Sequence, residues 1–579
     1  MYGDPMRLSR WISSLGLLSV LTLTEACAPA KDWNSPEYIS SRIKEGDARA
    51  FAELSRLTPE QQKVLVPALI EAYNAGKEQQ RVIEALASIA DPSAKEAFGA
   101  ALTQSDDMLA GLAARGLGNI ADKGSAAAIA KRLGEVTTDE AYPAFFEALS
   151  KLPIDAAADA LSAILMRPAT KIGGASSVRL GCKALAQASA PTDVILDALV
   201  FGLVNFTPTP FKDPMPDCEL AILSMKDAGI PKLVELFEGK NAKVNDHLKA
   251  ISYPAVTGQL RAAAVLAHSQ NPAAIKAITQ FVSTPHPLPT AELAAMPVAD
   301  QQNFYANSGQ MFDQAAKALG AAGGPENLAT LRKLENASAG SLLANFSEWF
   351  SLSDGAEVGL RQSVHESLAI IGDASDRKLL WDRATSGTVG RGGDNTAGLL
   401  RTNALHYLGR TARPGERADF AKVLAAQTKF KASFAPDEVY FVLADKCQDD
   451  VACYTAAFKD PAATLQDPSF ASVLSAIEEA KKDSFMSTAT SNIRAAGIWQ
   501  LAIRLGANEA AISALLDNLN IDNMEARSEI AAILLYVDKF PADAKTKIVA
   551  SIADDKTEAT APGLKETRHG YRLIAATRF

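Results

Sequence analysis

The chain has 579 residues, 48% of them hydrophobic, with 58 basic and 67 acidic side chains giving a net charge of −9. A chain of that length divides into several domains unless it is a repeat array, which grows by adding units to one continuous core. The acidic balance, with no Lys/Arg block, excludes a sequence-independent grip on nucleic-acid phosphates. Richness in Ala and Leu without strand-like alternation predicts helices and next to no strand.

The first segment, residues 1–27, has the tripartite pattern of an export signal. Arg7 and Arg10 precede an apolar run from Trp11 to Leu23, and small residues follow at Ala26-Cys27-Ala28. The run is too short to span a bilayer and has the length of a signal-peptide core. Asp4 sits oddly in a positive region, which makes Met6 a candidate start. Ala26-Cys27 after Leu-rich sequence resembles the lipobox of bacterial lipoproteins. That resemblance implies an acylated Cys27 at the mature N-terminus, and Ala28 in place of an aspartate fits outer-membrane sorting. Thr24 and Glu25 depart from the motif, with Leu23 one place early, and cleavage after Ala28 or Ala30 would instead release a soluble periplasmic or secreted protein.

Residues 28–44 read as a linker and the start of a first helix. From 45 to 550 the chain repeats: Leu86/Leu117, Ile89/Ile120, Asp91/Asp122 and Leu102/Leu133 all differ by 31. Such a period marks stacked units that bury their apolar faces against neighbours. In the clearest unit Val82, Leu86 and Ile89 share a helix face, Asp91-Pro92 breaks the helix, and Ala94, Phe98 and Leu102 continue on a second. Asp91 is placed to accept from the free amides of that helix, and Pro92 fits its first position. Similar turns recur at Asp122, Pro153/Asp155, Pro191/Asp193, Asn271-Pro272, Gly324-Pro325, Gly372-Asp373, Pro414-Gly415 and Gly506-Ala507-Asn508. The remaining stretch, 551–579, reads as a C-terminal cap or tail.

Val364-His-Glu-Ser-Leu-Ala-Ile-Ile-Gly-Asp373, and Leu260-Arg-Ala-Ala-Ala-Val-Leu-Ala267 with Ala274-Ile-Lys-Ala-Ile278, resemble the short HEAT repeats of the phycobilisome-lyase type. The resemblance implies an all-α fold, an α-solenoid (superhelix) of stacked antiparallel helix pairs. It speaks to architecture, because the matching residues are packing and turn residues. Connections inside a repeat stay short, while those between repeats swell at 204–217, 283–303, 336–359 and 385–398. In a two-helix solenoid these lie along one edge, where insertions often build a binding surface. Phe346, Trp349 and Phe350, at helical spacing in the third connection, are candidate partner anchors, with tucking against their own core as the alternative.

Setting Cys27 aside leaves four cysteines. The close spacing of Cys447 and Cys453 favours that pair and, by default, Cys182 with Cys218; buried free thiols are the alternative. Six histidines show no HxxxH, HxH or HExxH spacing, and the single pair His365-Glu366 supplies too few ligands for a metal. The glycine-rich run 387–393 lacks a preceding strand and a Gly-Lys-Ser/Thr, so it reads as a loop rather than a phosphate cradle. Asp445, Asp449 and Asp450 lack the spacing of a calcium loop. No nucleophile elbow occurs. The expectation is a non-enzymatic, protein-binding scaffold without cofactor, metal or small-molecule substrate, anchored by lipid in the cell envelope. A HEAT-repeat lyase or metal-dependent hydroxylase is the alternative.

Overall fold

The computed structural model describes residues 32–208, 211–284, 297, 311–335, 354–386, 394–426, 431–552 and 564–579. Cys27, Phe346, Trp349, Phe350 and the glycine-rich run 387–393 lie outside them. Helices make up the fold, as an all-α solenoid. The one strand pairing among the described residues is a two-residue antiparallel ribbon, with Thr207 opposite Lys212 and Pro208 opposite Phe211. No helix among them is long and apolar enough to cross a membrane. The chain forms two compact units, Met1–Ala97 and Phe98–Phe579.

The first unit begins its helices at Pro36–Glu45, where the Ser35 side chain accepts from the Tyr38 amide and Gly46, at φ 82°, ends the helix in a left-handed turn. Thr58 and Gln61 form a reciprocal cap on Pro59–Val64, which satisfies two amides that a helix start otherwise leaves free. Ile39, Ile43, Leu65, Leu69, Val82, Ile83 and Leu86 are fully buried and form its core.

The turn between paired helices keeps one backbone form on both sides of the 31-residue offset, but the expected side-chain cap is made at Asp91 and not at Asp122. Ala90 and Ala121 both adopt a left-handed backbone, at φ 56° and 55°. Asp91 then accepts from the Ser93 amide at 2.9 Å, with Pro92 at the start of the next turn. Leu86, Leu117, Leu102 and Leu133 all lie in the core. Asn271 and Asn508 cap their helices in the same way, through the amides of Ala273 and Ala510. At Pro191/Asp193 the capping side chain is Thr192, one residue earlier than the acidic residue singled out in the sequence.

Within the second unit, first helices stack on first helices through Asp107–Asn119, Tyr142–Leu149 and Ala175–Leu185. The stack then reaches eight helices that close on themselves: α1 (Met215–Ser224), α2 (Val256–Ser269), α3 (residues 311–322), α4 (Asp354–Ile371), α5 (Asp394–Arg410), α6 (Ser484–Trp499), α7 (Met524–Ile533) and α8 (Leu564–Arg578). Each packs on the next, and α8 packs back on α1 and α2. Close approaches replace side chains at these seams. A Cβ on Gly320 of α3 would meet the Ser367 side chain of α4, and outside the circuit one on Gly409 of α5 would meet the ring of Tyr440 on the neighbouring helix Glu438–Cys447. The stretch 551–579 therefore contains the helix that closes a circuit.

The connection 204–217, described except for residues 209 and 210, folds back onto its own framework. The Asn205 side chain is buried, accepts from the Ala169 amide at 2.7 Å, and donates to the carbonyls of Leu165 (3.1 Å) and Arg167 (2.8 Å). Phe206 packs edge-on against Tyr253 beneath the Arg261 guanidinium, which also pairs with Asp213 at 2.6 Å. Phe211 is its exposed apolar residue, at 58%.

Candidate functional site

Polar side chains gather where α8 meets the rest of the circuit. Glu219 on α1 is buried between two imidazoles, with Oε1 2.6 Å from His268 Nδ1 on α2 and Oε2 3.0 Å from His569 Nε2 on α8. Burial pushes the Glu219 carboxyl up, but the two imidazoles outweigh it and hold it at about 2. For His268, burial works against the charge and Glu219 overcomes it, so the imidazole titrates above its ordinary value. Lys226 Nζ adds a bond to the Ala576 carbonyl at 2.7 Å.

A second group lies across the circuit. Glu366 on α4 accepts from the hydroxyls of Tyr407 (3.0 Å) and Tyr536 (3.3 Å), and burial raises its pKa in spite of these donors. Tyr407 packs on Trp499, which carries Arg410 over its face at 5.0 Å, and Arg410 pairs with Glu529 at 2.7 Å. After Trp499 the helix widens into a π turn, Gln500–Arg504. This turn aims Gln500 Nε2 at the carbonyls of Arg410 (3.2 Å) and Ala412 (2.8 Å). Between the two groups lies a partly enclosed cavity of about 260 Å³, lined by His268, Gln270, Lys317, Glu366, Tyr536 and Arg578 with small apolar residues between them.

His365 and Glu366, neighbours in sequence, serve different centres, because adjacent positions on a helix point about 100° apart. His365 Nε2 turns away from the cavity to Glu335, 3.1 Å off, which also takes Arg383 Nε at 2.7 Å. Burial raises the Glu335 carboxyl, but His365, Arg361 and Arg383 bring it down to about 2. Among the described residues no group of three or more His, Cys, Asp or Glu is placed to hold a metal ion.

The acidic turn is spent on structure. Asp445 accepts from the Gly415 amide at 2.6 Å, Asp449 pairs with Arg504 at 2.6 Å, and Asp450 caps Val451–Lys459. The two cysteine pairs stand at bonding distance, Cys182 to Cys218 at 2.08 Å and Cys447 to Cys453 at 1.97 Å.

Sequence reasoning did not single out Glu219, His569, Gln270, Lys317 or Arg578. The trace they leave is faint: scattered polar and charged residues on or at the ends of helices, whose partners lie as far as 350 positions away.

No protein-family model matches this chain, and no curated protein does. Among known structures it is similar to the crystal structure of an engineered protein, at 15% identity and a TM-score of 0.22, covering 94% of this chain and 96% of that one. It is also similar to a homology model of the full-length AP-3 complex in an intermediate open conformation, at 13% identity and a TM-score of 0.26, covering 94% and 92%. Likeness at that level carries no argument about family or role.

Proposed function

We propose that the protein is a non-catalytic scaffold of HEAT-like repeats that holds a partner protein, exported and anchored in the cell envelope by a lipid on Cys27. The supporting observation is how its buried ionisable groups are used. Glu219 and Glu335 each join one repeat to another through a His partner, and Asp107 ties the two helices of one repeat through Arg132, so their charge serves to fix repeats rather than to act on a substrate. A rigid repeat array with long inter-repeat connections presents an extended surface suited to another macromolecule. The tripartite leader supports export, and cysteine pairs at bonding distance agree with an oxidising compartment.

Two measurements test this reading. Intact mass of the mature protein and of a Cys27→Ala variant should show an acylated chain beginning at residue 27, lost in the variant. A mature chain starting later without acyl mass refutes the anchor. In-cell crosslinking should recover one partner, and recovery should fall when residues 387–393 are removed or Phe346, Trp349 and Phe350 become alanine, with the melting temperature unchanged. Stoichiometric iron or a coloured adduct on the purified protein would instead establish an enzyme.

A further inference from the structure

We propose that the cavity bounded by α2, α3, α4, α7 and α8 is a binding site for a small organic anion, its carboxylate or phosphoryl group seated against Arg578 and Lys317. The argument starts from how Arg578 differs from other arginines in the unit. Arg132 meets Asp107, Arg377 meets Glu416, Arg410 meets Glu529, and Arg361 and Arg383 share Glu335. Arg578 meets only neutral acceptors, the Gln270 side chain through Nη1 and the Leu535 carbonyl through Nη2. Its Nε, shut off from solvent, has no acceptor. Among the described residues no carboxylate is in ion-pair contact with it. Burial draws its pKa down to about 10, and Asp538 offsets this only in part.

A guanidinium partly withdrawn from water without an anion is costly, and a carboxylate or phosphate reaching its cavity-facing side offsets that cost through charge-assisted hydrogen bonds. The rest of the wall agrees. Lys317 adds a second cation, in half-buried contact with Asp313 one turn back at 3.3 Å and close enough to Glu366 to act on its charge. The carboxyl in the lining, Glu366, already accepts from two tyrosines and is displaced by burial toward its neutral form, so it opposes an incoming anion weakly. Ala267, Ala318, Ala532 and Leu535 leave apolar room for a short carbon body. At about 260 Å³ the space lies below the range of roughly 300–1,000 Å³ that suits drug-sized ligands. The occupant is therefore a small metabolite, and since α8 forms one wall, its binding tightens the circuit.

The site is independent of any protein partner and is tested on the purified full mature chain at constant ionic strength. Acetate and succinate form one arm, inorganic phosphate and glycerol phosphate the other, and chloride is the control. Thermal melting and isothermal titration are read together. The expected result is a saturable rise in melting temperature with members of one arm, which identifies the headgroup, and binding weakened at least about tenfold in Lys317→Met and abolished in Arg578→Met. Arg578→Met also removes the ties to Gln270 and Leu535, so Lys317→Met, which leaves those ties in place, carries the decision. No saturable response in either arm, or a response of wild-type strength in Lys317→Met, overturns the proposal.

Discussion

Between Asp107 and Pro208 successive helix pairs of the second unit pack on one another, whereas from Met215 onward the first and last helices of the run also touch each other. The polar ties differ accordingly. In the open stretch Arg115 reaches Glu147, 32 positions on, and Lys151 reaches Asn119 across the same interval. In the closed stretch Glu366 meets Tyr536 across 170 positions, Gln270 meets the Leu535 carbonyl across 265, and Glu219 meets His569 across 350. The same helix-pair grammar thus yields two mechanical situations. In an open array the loss of one contact is felt by its neighbours. In a closed circuit, losing the joint releases constraints on every member.

The joint itself is concentrated on one helix. On α1, Cys218 is bonded to Cys182 in the open stretch and the next residue, Glu219, holds α8. Glu219→Gln should therefore give the largest effect, about 3–5 kcal/mol, because it removes the buried charge on which the two part-buried imidazoles converge. Denaturant unfolding should then split into two transitions, the first of them lost protection in α8 by hydrogen exchange. A single transition at the wild-type midpoint would show that the closure carries no load.

Leu117→Ala, in the open stretch, should cost a similar ~2–5 kcal/mol through its cavity without splitting the transition, since no long-range joint is involved. Gly202→Ala tests the fastening between the two stretches. A Cβ there would stand 2.8 Å from the sulfurs of both Cys182 and Cys218, and overpacking of that kind costs about 1–3 kcal/mol, measurable as a shift in denaturant midpoint at unchanged slope.

The pH dependence follows from two opposite shifts. Glu219 is lowered from 4.5 to about 2, so its contribution is complete above pH 4.5 and is lost as pH falls toward 2. His268 is raised from 6.5, so its contribution is complete below 6.5 and is lost as pH rises through its folded value. Protection of α8 relative to Asp107–Asn119, corrected for intrinsic exchange, should peak between about pH 4.5 and 6.5. A flat ratio would sever the joint from these charges. The smallest effect belongs to Glu147→Gln, whose half-exposed partners should leave stability within about 1 kcal/mol of wild type.

What the sequence reveals of these two regions is uneven, for a physical reason. Packing against a neighbour repeats, so Leu86 and Leu117, or Ala90 and Ala121 with their matching turns, announce themselves at a constant offset. Closure happens once, and nothing periodic marks it. His569 lies in a stretch that reads as a cap or tail, and its partner is a glutamate in the middle of a helix. The connection 204–217 illustrates a different loss. Its length and prolines suggest an excursion, yet Asn205 answers three backbone groups of the preceding repeat, a role that length cannot disclose. His365-Glu366 looks like a pair in sequence and becomes two separate residues once the helix turns.

The bond between Glu219 and His569 also sets an order of events. Contacts some 30 positions apart form cheaply, but a loop of 350 residues must be closed against chain entropy before its reward arrives. The open stretch is complete while α8 has yet to emerge during synthesis, and α1 then exposes a buried carboxylate and an apolar flank that await it. During that interval the half-made protein is most vulnerable to misassociation, and a chaperone that covered α1 would act at the moment of greatest need.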